Sequence, residues 1–367
     1  MPLTDISLTL DEANRVLAQW DLSVTRGELT PGSGTANASV ILLTPHGKLL
    51  LKRRNPRYSK EDWVRFDHSL MEHLHTREMP TPLGLPTKQG KRWARVHGHV
   101  YELYPFIEGD EHTEGDLEQI VSAGEMLARF QAATADFTPP CEKRWERYHS
   151  PSRIVEPFRS PLPSGALALR PEARETLEVA VRTAGELLER LPDDAYWALP
   201  QTIVHGDYHP ANLKFRDDRV VGVFDLDWCT RQPRMVDLAD GLLFFCGRRS
   251  EPTIAGDIWS LTQGFEMDEG LVRAFGAGYA SPVTGGQSFR PGGMTVPGTP
   301  AFPTAAELRA LPDLMRCRWL YCRVDAMQRK VPRERQVEFL LRDLLPPLRW
   351  LDDNESRIAD GTLLGRG

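Results

Sequence analysis

The apolar positions along the chain fall into two regimes. Near the start, Leu8, Leu10, Val16 and Leu17 of LTLDEANRVLA (8–18) recur at helical spacing, and Thr9 is placed to cap the helix they predict. Strand signals follow: ASVILLT and KLLLKRR flank the turn residues PHG and predict a β-hairpin. In KLLLKRR a period of two puts Lys48, Leu50, Lys52 and Arg54 on one face and Leu49, Leu51 and Arg53 on the other. A helix is expected over roughly 61–77, and GHVYELYPFIEG predicts another strand before a turn at Gly109.

Beyond that turn the pattern becomes helical. Leu117, Ile120, Val121, Gly124, Leu127 and Ala128 share one helix face, and RPEARETLEVAVRTAGELLERL (170–191) predicts a second long helix. VVGVFDLDW opens as a short strand, and AELRALPDLMRCRWLYCRVDAMQRK and RQVEFLLRDLLPPLRWL are the clearest later helices. VTGGQSFRPGGMTVPGTPAFPT (283–304) is rich in Gly and Pro and is expected to be a long loop. The simplest partition is an α+β chain with a small β-rich part, 1–106, and a larger, mainly helical part, 107–367.

Composition narrows the partners. The 367 residues are 41% hydrophobic and 26% charged, ordinary for a globular protein. The formal net charge is −6 with no long basic block, which argues against nucleic acid or an acidic membrane as the main partner. No apolar run approaches the ~18 residues of a membrane span. The start, MPLTDISLTLDEANRVL, lacks the basic and apolar regions of a secretory signal. Five cysteines, scattered and without a CxxC pair, read as free thiols of a reducing compartment, so a cytoplasmic location is expected.

One segment concentrates chemistry. VHGDYHPANLKF (204–215) places His205, Asp207, His209 and Asn212 between apolar flanks. On a strand, His205, Asp207 and His209 would face one side like zinc ligands, but Pro210 ends any strand there and no other histidine completes a familiar ligand pairing. Phosphoryl transfer accounts for more of the pattern. It needs a carboxylate to take the acceptor's proton and hard oxygen donors for Mg²⁺. Asp207 and Asn212 have the D-x-x-x-x-N spacing of a kinase catalytic loop, and Asp225 ends a short apolar strand thirteen residues after Asn212. Either half is common alone; the two in order are specific.

On these residues the chain resembles the aminoglycoside phosphotransferase/choline kinase family of small-molecule kinases. The matching stretches are His205-Gly206-Asp207 through Asn212, Phe224-Asp225-Leu226-Asp227 and Asp237-Leu238-Ala239, with the helix SAGEMLARFQAAT before them. The resemblance implies a bilobal protein-kinase-like fold using ATP and Mg²⁺ to phosphorylate a small-molecule hydroxyl acceptor. It makes Asp207 the catalytic base and Asn212 and Asp225 the metal ligands. His205 would brace the loop and Asp237 tie down its backbone, while Asp227 is a weaker metal contact or a structural acid. Lys52 would sit at the phosphates, paired with Asp67 or its rival Glu72. Gly34 and Asn37 of PGSGTAN would cover the phosphates, and the Pro105 carbonyl and Ile107 amide would hold adenine. The family helix often carries histidine where this chain has Gln131.

The acceptor is left open among homoserine-, choline- and aminoglycoside-like molecules. The acidic stretch 108–118 is a candidate pocket wall or a solvated helix start, and Trp228, Trp259 and Trp319 are candidates for a cation box or for core. Two further readings are a protein kinase of the same fold and a non-catalytic nucleotide-binding regulator. Oligomeric state is not encoded in any pattern.

Overall fold

The Thr9 hydroxyl accepts the Glu12 amide at 3.2 Å and opens helix α1 (Leu10–Leu17), the cap expected of that residue. The computed structural model describes residues 8–24, 29–31, 37–45, 47–144, 150–159, 171–251, 259, 262–281, 302–332 and 335–365. Two compact units divide the chain. The first comprises Met1–Asp110, Phe137–Lys143 and Val221–Asp227; the second comprises Glu111–Asp136, Arg144–Val220 and Trp228–Gly367. A single break after residue 106 therefore does not describe the chain. Periodicity reads contiguous stretches, and it could not see two short returns whose Lys143 and Asp227 bond to the first unit's polar cluster.

In the first unit, β1 (Leu29–Pro31), β2 (Ala38–Thr44), β3 (Gly47–Arg53), β4 (Trp93–Val96) and β5 (His99–Pro105) form an antiparallel sheet in the order β1-β2-β3-β5-β4. The hairpin closes Thr44 against Gly47, whose φ of +111° suits a residue without a Cβ. Ala13, Val16 and Leu17 pack with Val40, Leu42, Leu51 and Leu103 on one face of the sheet. Arg53 follows Leu51 to that side and meets Glu12 at 2.7 Å. The alternation thereby turns Lys52 and Arg54 to the other face. Helix α2 (Glu61–Thr76) supplies buried Asp67 and His68 to the polar cluster formed there.

In the second unit, helix α3 (Leu117–Thr134) begins at Asp116, whose carboxylate accepts the Glu118 and Gln119 amides. It packs against a helix over Glu269–Ala280. Gly124 and Gly278 make that approach possible, since a Cβ on either would overlap a backbone carbonyl of the facing helix, Phe275 or Val121. Strands over Gln201–Val204 and Thr230–Pro233 pair antiparallel and frame the segment with the Asp-x4-Asn spacing. Further helices run over Pro171–Arg190, Met235–Phe245 and Ala305–Lys330.

The expected single helix through RQVEFLLRDLLPPLRWL is two, Gln336–Leu341 and Leu345–Ala359. Pro346 and Pro347 fit only the first turn of a helix, so the preceding one ends, with Asp343 at φ +53° between them. Residues 283–301 of the expected loop lie outside the described residues.

Candidate active site

In the first unit, β3 places Lys52 opposite Glu102 on β5, on the same sheet face. Its Nζ lies 2.8 Å from Asp227 Oδ2 and 3.9 Å from Glu102 Oε2. Burial alone would lower the Lys52 ammonium, but Asp227, Glu102 and Asp225 together raise it, so the amine stays protonated. Burial would likewise raise the Asp227 carboxyl; Arg54 and Lys52 outweigh it and hold the group down at about 2.

The expected Lys52–Asp67 pair is not formed. Asp67 is buried between Arg54 Nη2 and Lys143 Nζ, each at 2.5 Å, so two other cations occupy its carboxylate. The rival Glu72 bonds Arg92 at 2.8 Å on the surface. Arg54 also reaches Glu102 at 2.9 Å, and His68 Nε2 lies 3.1 Å from the same Glu102 oxygen. Asp227 thus sits in an ionic cluster with Lys52 and Arg54.

Asn37, expected at the phosphates, uses its side chain otherwise: Nδ2 donates to Asp227 at 2.9 Å and Oδ1 accepts the Asn55 amide at 2.9 Å. Gly34 lies outside the described residues. At the end of β5, Phe106 donates its amide to the Lys48 carbonyl at 3.0 Å. Antiparallel alternation turns the Pro105 carbonyl to the opposite edge, where the Leu103 carbonyl accepts Leu85 at 2.7 Å; the strand ends there, before Ile107. Asp225 sits at φ +59°, a left-handed conformation that aspartate tolerates better than most residues and that recurs at functional sites.

In the second unit the strand Gln201–Val204 delivers His205, Gly206 and Asp207 into a turn. Asp237, on the helix Met235–Phe245, accepts the His205 amide at 2.7 Å and the Gly206 amide at 2.8 Å, so it does tie down the loop backbone. Gly206 has φ +80°, and a Cβ there would come within 2.8 Å of the Trp228 carbonyl oxygen. His205 is fully buried between Phe130 and Tyr208, with the Asp207 amide 3.3 Å from its Nδ1; that is a brace.

Asp207 itself stays partly open, its side chain 35% exposed. Burial would raise its carboxyl, but His209, then His205 and Arg318, hold it down at about 2. Asn212 donates Nδ2 to the Asp207 carbonyl at 2.8 Å and lies 3.3 Å from Asp207 Oδ2 and 3.1 Å from His209 Nε2. All three contacts use the amide nitrogen and none uses Oδ1. Among the described residues, no group of three or more His, Cys, Asp or Glu side chains stands ready to hold a metal ion.

Periodicity missed two supports, Arg318 and Lys143. Arg318 grips Asp240 with two bonds, 2.6 and 2.8 Å, and reaches the Gly206 carbonyl at 3.4 Å. Lys143 is fully buried in a loop without pattern. The only signal for Arg318 was a run of arginines at helix positions where the core calls for apolar groups. Gln131 bridges the Arg234 carbonyl and the Tyr279 hydroxyl, a packing role.

The candidate acceptor features have structural uses. Glu108 pairs with Lys48, Glu111 with Lys214, and Asp116 caps α3. Trp228 and Trp319 are buried, and Arg335 faces the Trp259 ring at 4.3 Å.

The model of the phosphotransferase enzyme family matches residues 29–282. A homoserine kinase of Sinorhizobium medicae is 28% identical over 246 residues, 66% of this chain and 70% of its own length. That of Rhodospirillum rubrum is 27% identical over 244 residues, 66% and 71% of the two chains. Among solved structures, a microcompartment-associated aminopropanol kinase has a TM-score of 0.59 at 16% identity, covering 95% of this chain and 100% of its own. An amicoumacin kinase in complex with AMP-PNP, Ca²⁺ and Ami has a TM-score of 0.59 at 13% identity, covering 96% and 93%. The fold is therefore the α+β, bilobal, protein-kinase-like one. The chain belongs to the phosphotransferase enzyme family. Within it, the chain is a small-molecule kinase; the protein-kinase and non-catalytic readings gain no support from these relatives.

Proposed function

We propose that the protein transfers the γ-phosphoryl group of Mg²⁺-ATP to a hydroxyl of a small metabolite, homoserine-like first, with choline- and aminoglycoside-like acceptors behind it. The kinship to homoserine kinases supports that order. The observation that carries the reading is the Asp207 turn. Its backbone is clamped by Asp237, its carboxylate is ionised and half-open, and Asn212 is bonded so that its oxygen is left for a cation.

In this reading Asp207 orients the acceptor hydroxyl and takes its proton as the new P–O bond forms. Lys52 contributes a protonated ammonium to the phosphates. Asn212 Oδ1 and the Asp225 carboxylate are hard oxygen donors, the ligand type that Mg²⁺ prefers, and they would hold it. When bound, the ion neutralises charge on the phosphates. Pro105 and Ile107 present an acceptor and a donor to adenine. Gly34 would cover the phosphates. Asn37 acts through Asp227, and Asp67 through Arg54 and Lys143. The five free cysteines support a cytoplasmic setting. No described helix is long and apolar enough to cross a membrane.

The test is transfer from labelled Mg²⁺-ATP to homoserine, choline, ethanolamine, several aminoglycosides and a generic protein. Label on a small molecule is the expected result. Label confined to protein would overturn the reading.

A further inference from the structure

Lys52 is held by an acid that no family pattern assigned to it. Three cations, Lys52, Arg54 and Lys143, meet three carboxylates, Asp67, Glu102 and Asp227, in the first unit. Of these cations only Lys52 retains exposure, 13% of its side chain against 0% for the other two. Only Lys52 can therefore offer a donor to a ligand while staying paired. Its ammonium has three donors, and the bond to Asp227 Oδ2 at 2.8 Å needs one.

Asp227 is itself fixed from three directions. Asn37 Nδ2 donates to Oδ2 at 2.9 Å, Arg54 Nη1 lies 3.4 Å from Oδ1, and Lys143 Nζ donates to its backbone carbonyl at 2.5 Å. Asp67 enters this arrangement only through the other cations, since it binds the same Arg54 and the same Lys143.

We infer that Asp227 is the positioning residue for Lys52, and that Asp67 acts at one remove, by holding Arg54 and Lys143 against Asp227. The inference rests on the phosphotransferase reading, in which Lys52 serves the phosphates. Without Asp227, the nearest carboxylate is Glu102, 3.9 Å away and directly across the sheet. The ammonium would then fall back onto β5. Asp227 also lies two residues after Asp225, so one short turn would set both the metal acid and the anchor of the lysine.

The experiment is a pair of double-mutant cycles on the full chain, read by Mg²⁺-ATP affinity, by the split between kcat and the KM for ATP, and by thermal unfolding without nucleotide. Lys52→Met and Asp227→Asn should each weaken ATP binding by about tenfold or more, and the double variant no further than the worse single one. Their kcat losses should overlap in the same way. Asp67→Asn should lower Tm and weaken ATP binding less than Asp227→Asn does, with a smaller coupling to Lys52→Met than Asp227→Asn shows. If Asp227→Asn does not fold, Asp227→Glu keeps the charge and should show the same non-additivity with Lys52→Met. Multiplying effects for Lys52 and Asp227, or a Lys52–Asp67 coupling as large as theirs, would overturn the inference. A wild-type protein that binds no Mg²⁺-ATP would overturn the phosphotransferase reading itself, and the inference with it; coupling in Tm alone would then mark the pair as purely structural.

Discussion

Asp237 holds Gly206 by its backbone: one carboxylate oxygen accepts the Gly206 amide at 2.8 Å while the other takes the preceding amide, of His205, at 2.7 Å. The residue after this clamp is Asp207, so the acid's position is set by its own main chain. Asp237→Asn keeps one acceptor oxygen but turns an NH₂ toward a backbone N–H. We expect a loss of roughly 1–3 kcal/mol in urea unfolding, for a buried backbone N–H left without its acceptor, with a parallel fall in kcat. Unchanged stability and rate would contradict the clamp.

Arg318 and Asp240 form the next layer. Both are buried and bonded twice, so Arg318→Met leaves a carboxylate buried without its partner. A cost of about 3–5 kcal/mol is expected, and Arg318→Lys should recover little, because an ammonium cannot reproduce the two-pronged bond. Adding Asp240→Leu to Arg318→Met should restore part of the stability. Chemical unfolding of the three variants decides it.

Two glycines give opposite outcomes. Gly124→Ala would push a Cβ into the Phe275 carbonyl, and overpacking of about 1–3 kcal/mol is expected. Gly185, within Pro171–Arg190, has nothing within 4 Å of its Cβ position, so Gly185→Ala should stabilise by about 0.5–1 kcal/mol. Thermal unfolding of both variants checks the helix packing and the assignment together.

The acid side of the pH profile follows from Asp207. Its folded value, about 2, lies below the ordinary aspartate value of about 3.9. Its stabilising contribution is therefore complete above that ordinary value and is lost as pH falls through about 2. The carboxyl ¹³C signal missing from Asp207→Asn should titrate below pH 3 in the wild type. A midpoint near 4 would remove the influence of His209, His205 and Arg318 from the account.

The elements were legible where one period ran long enough. Leu51 and Lys52 took opposite faces as alternation required, and the helices over Glu61–Thr76 and Leu117–Thr134 lie where the apolar spacing put them. The Asp207–Asn212 spacing and Asp225 pointed to the chemistry because kinase loops need those side chains in that order. The partner of Lys52 was not legible. Asp67 and Asp227 are both acids at plausible distances in sequence, and the choice depends on Arg54 and Lys143, which the fold brings in from a strand end and a patternless loop. Pairing among buried charges is a property of three-dimensional neighbours, and neither periodicity nor spacing encodes it.

The central claim is that Asp207 takes the acceptor's proton. Its most direct test is kcat for phosphoryl transfer from Mg²⁺-ATP in the wild type and in Asp207→Asn, with ATP affinity measured on both. The account predicts a fall in kcat on the order of 10²–10⁴ with ATP affinity nearly unchanged. A variant that turns over at the wild-type rate would contradict it.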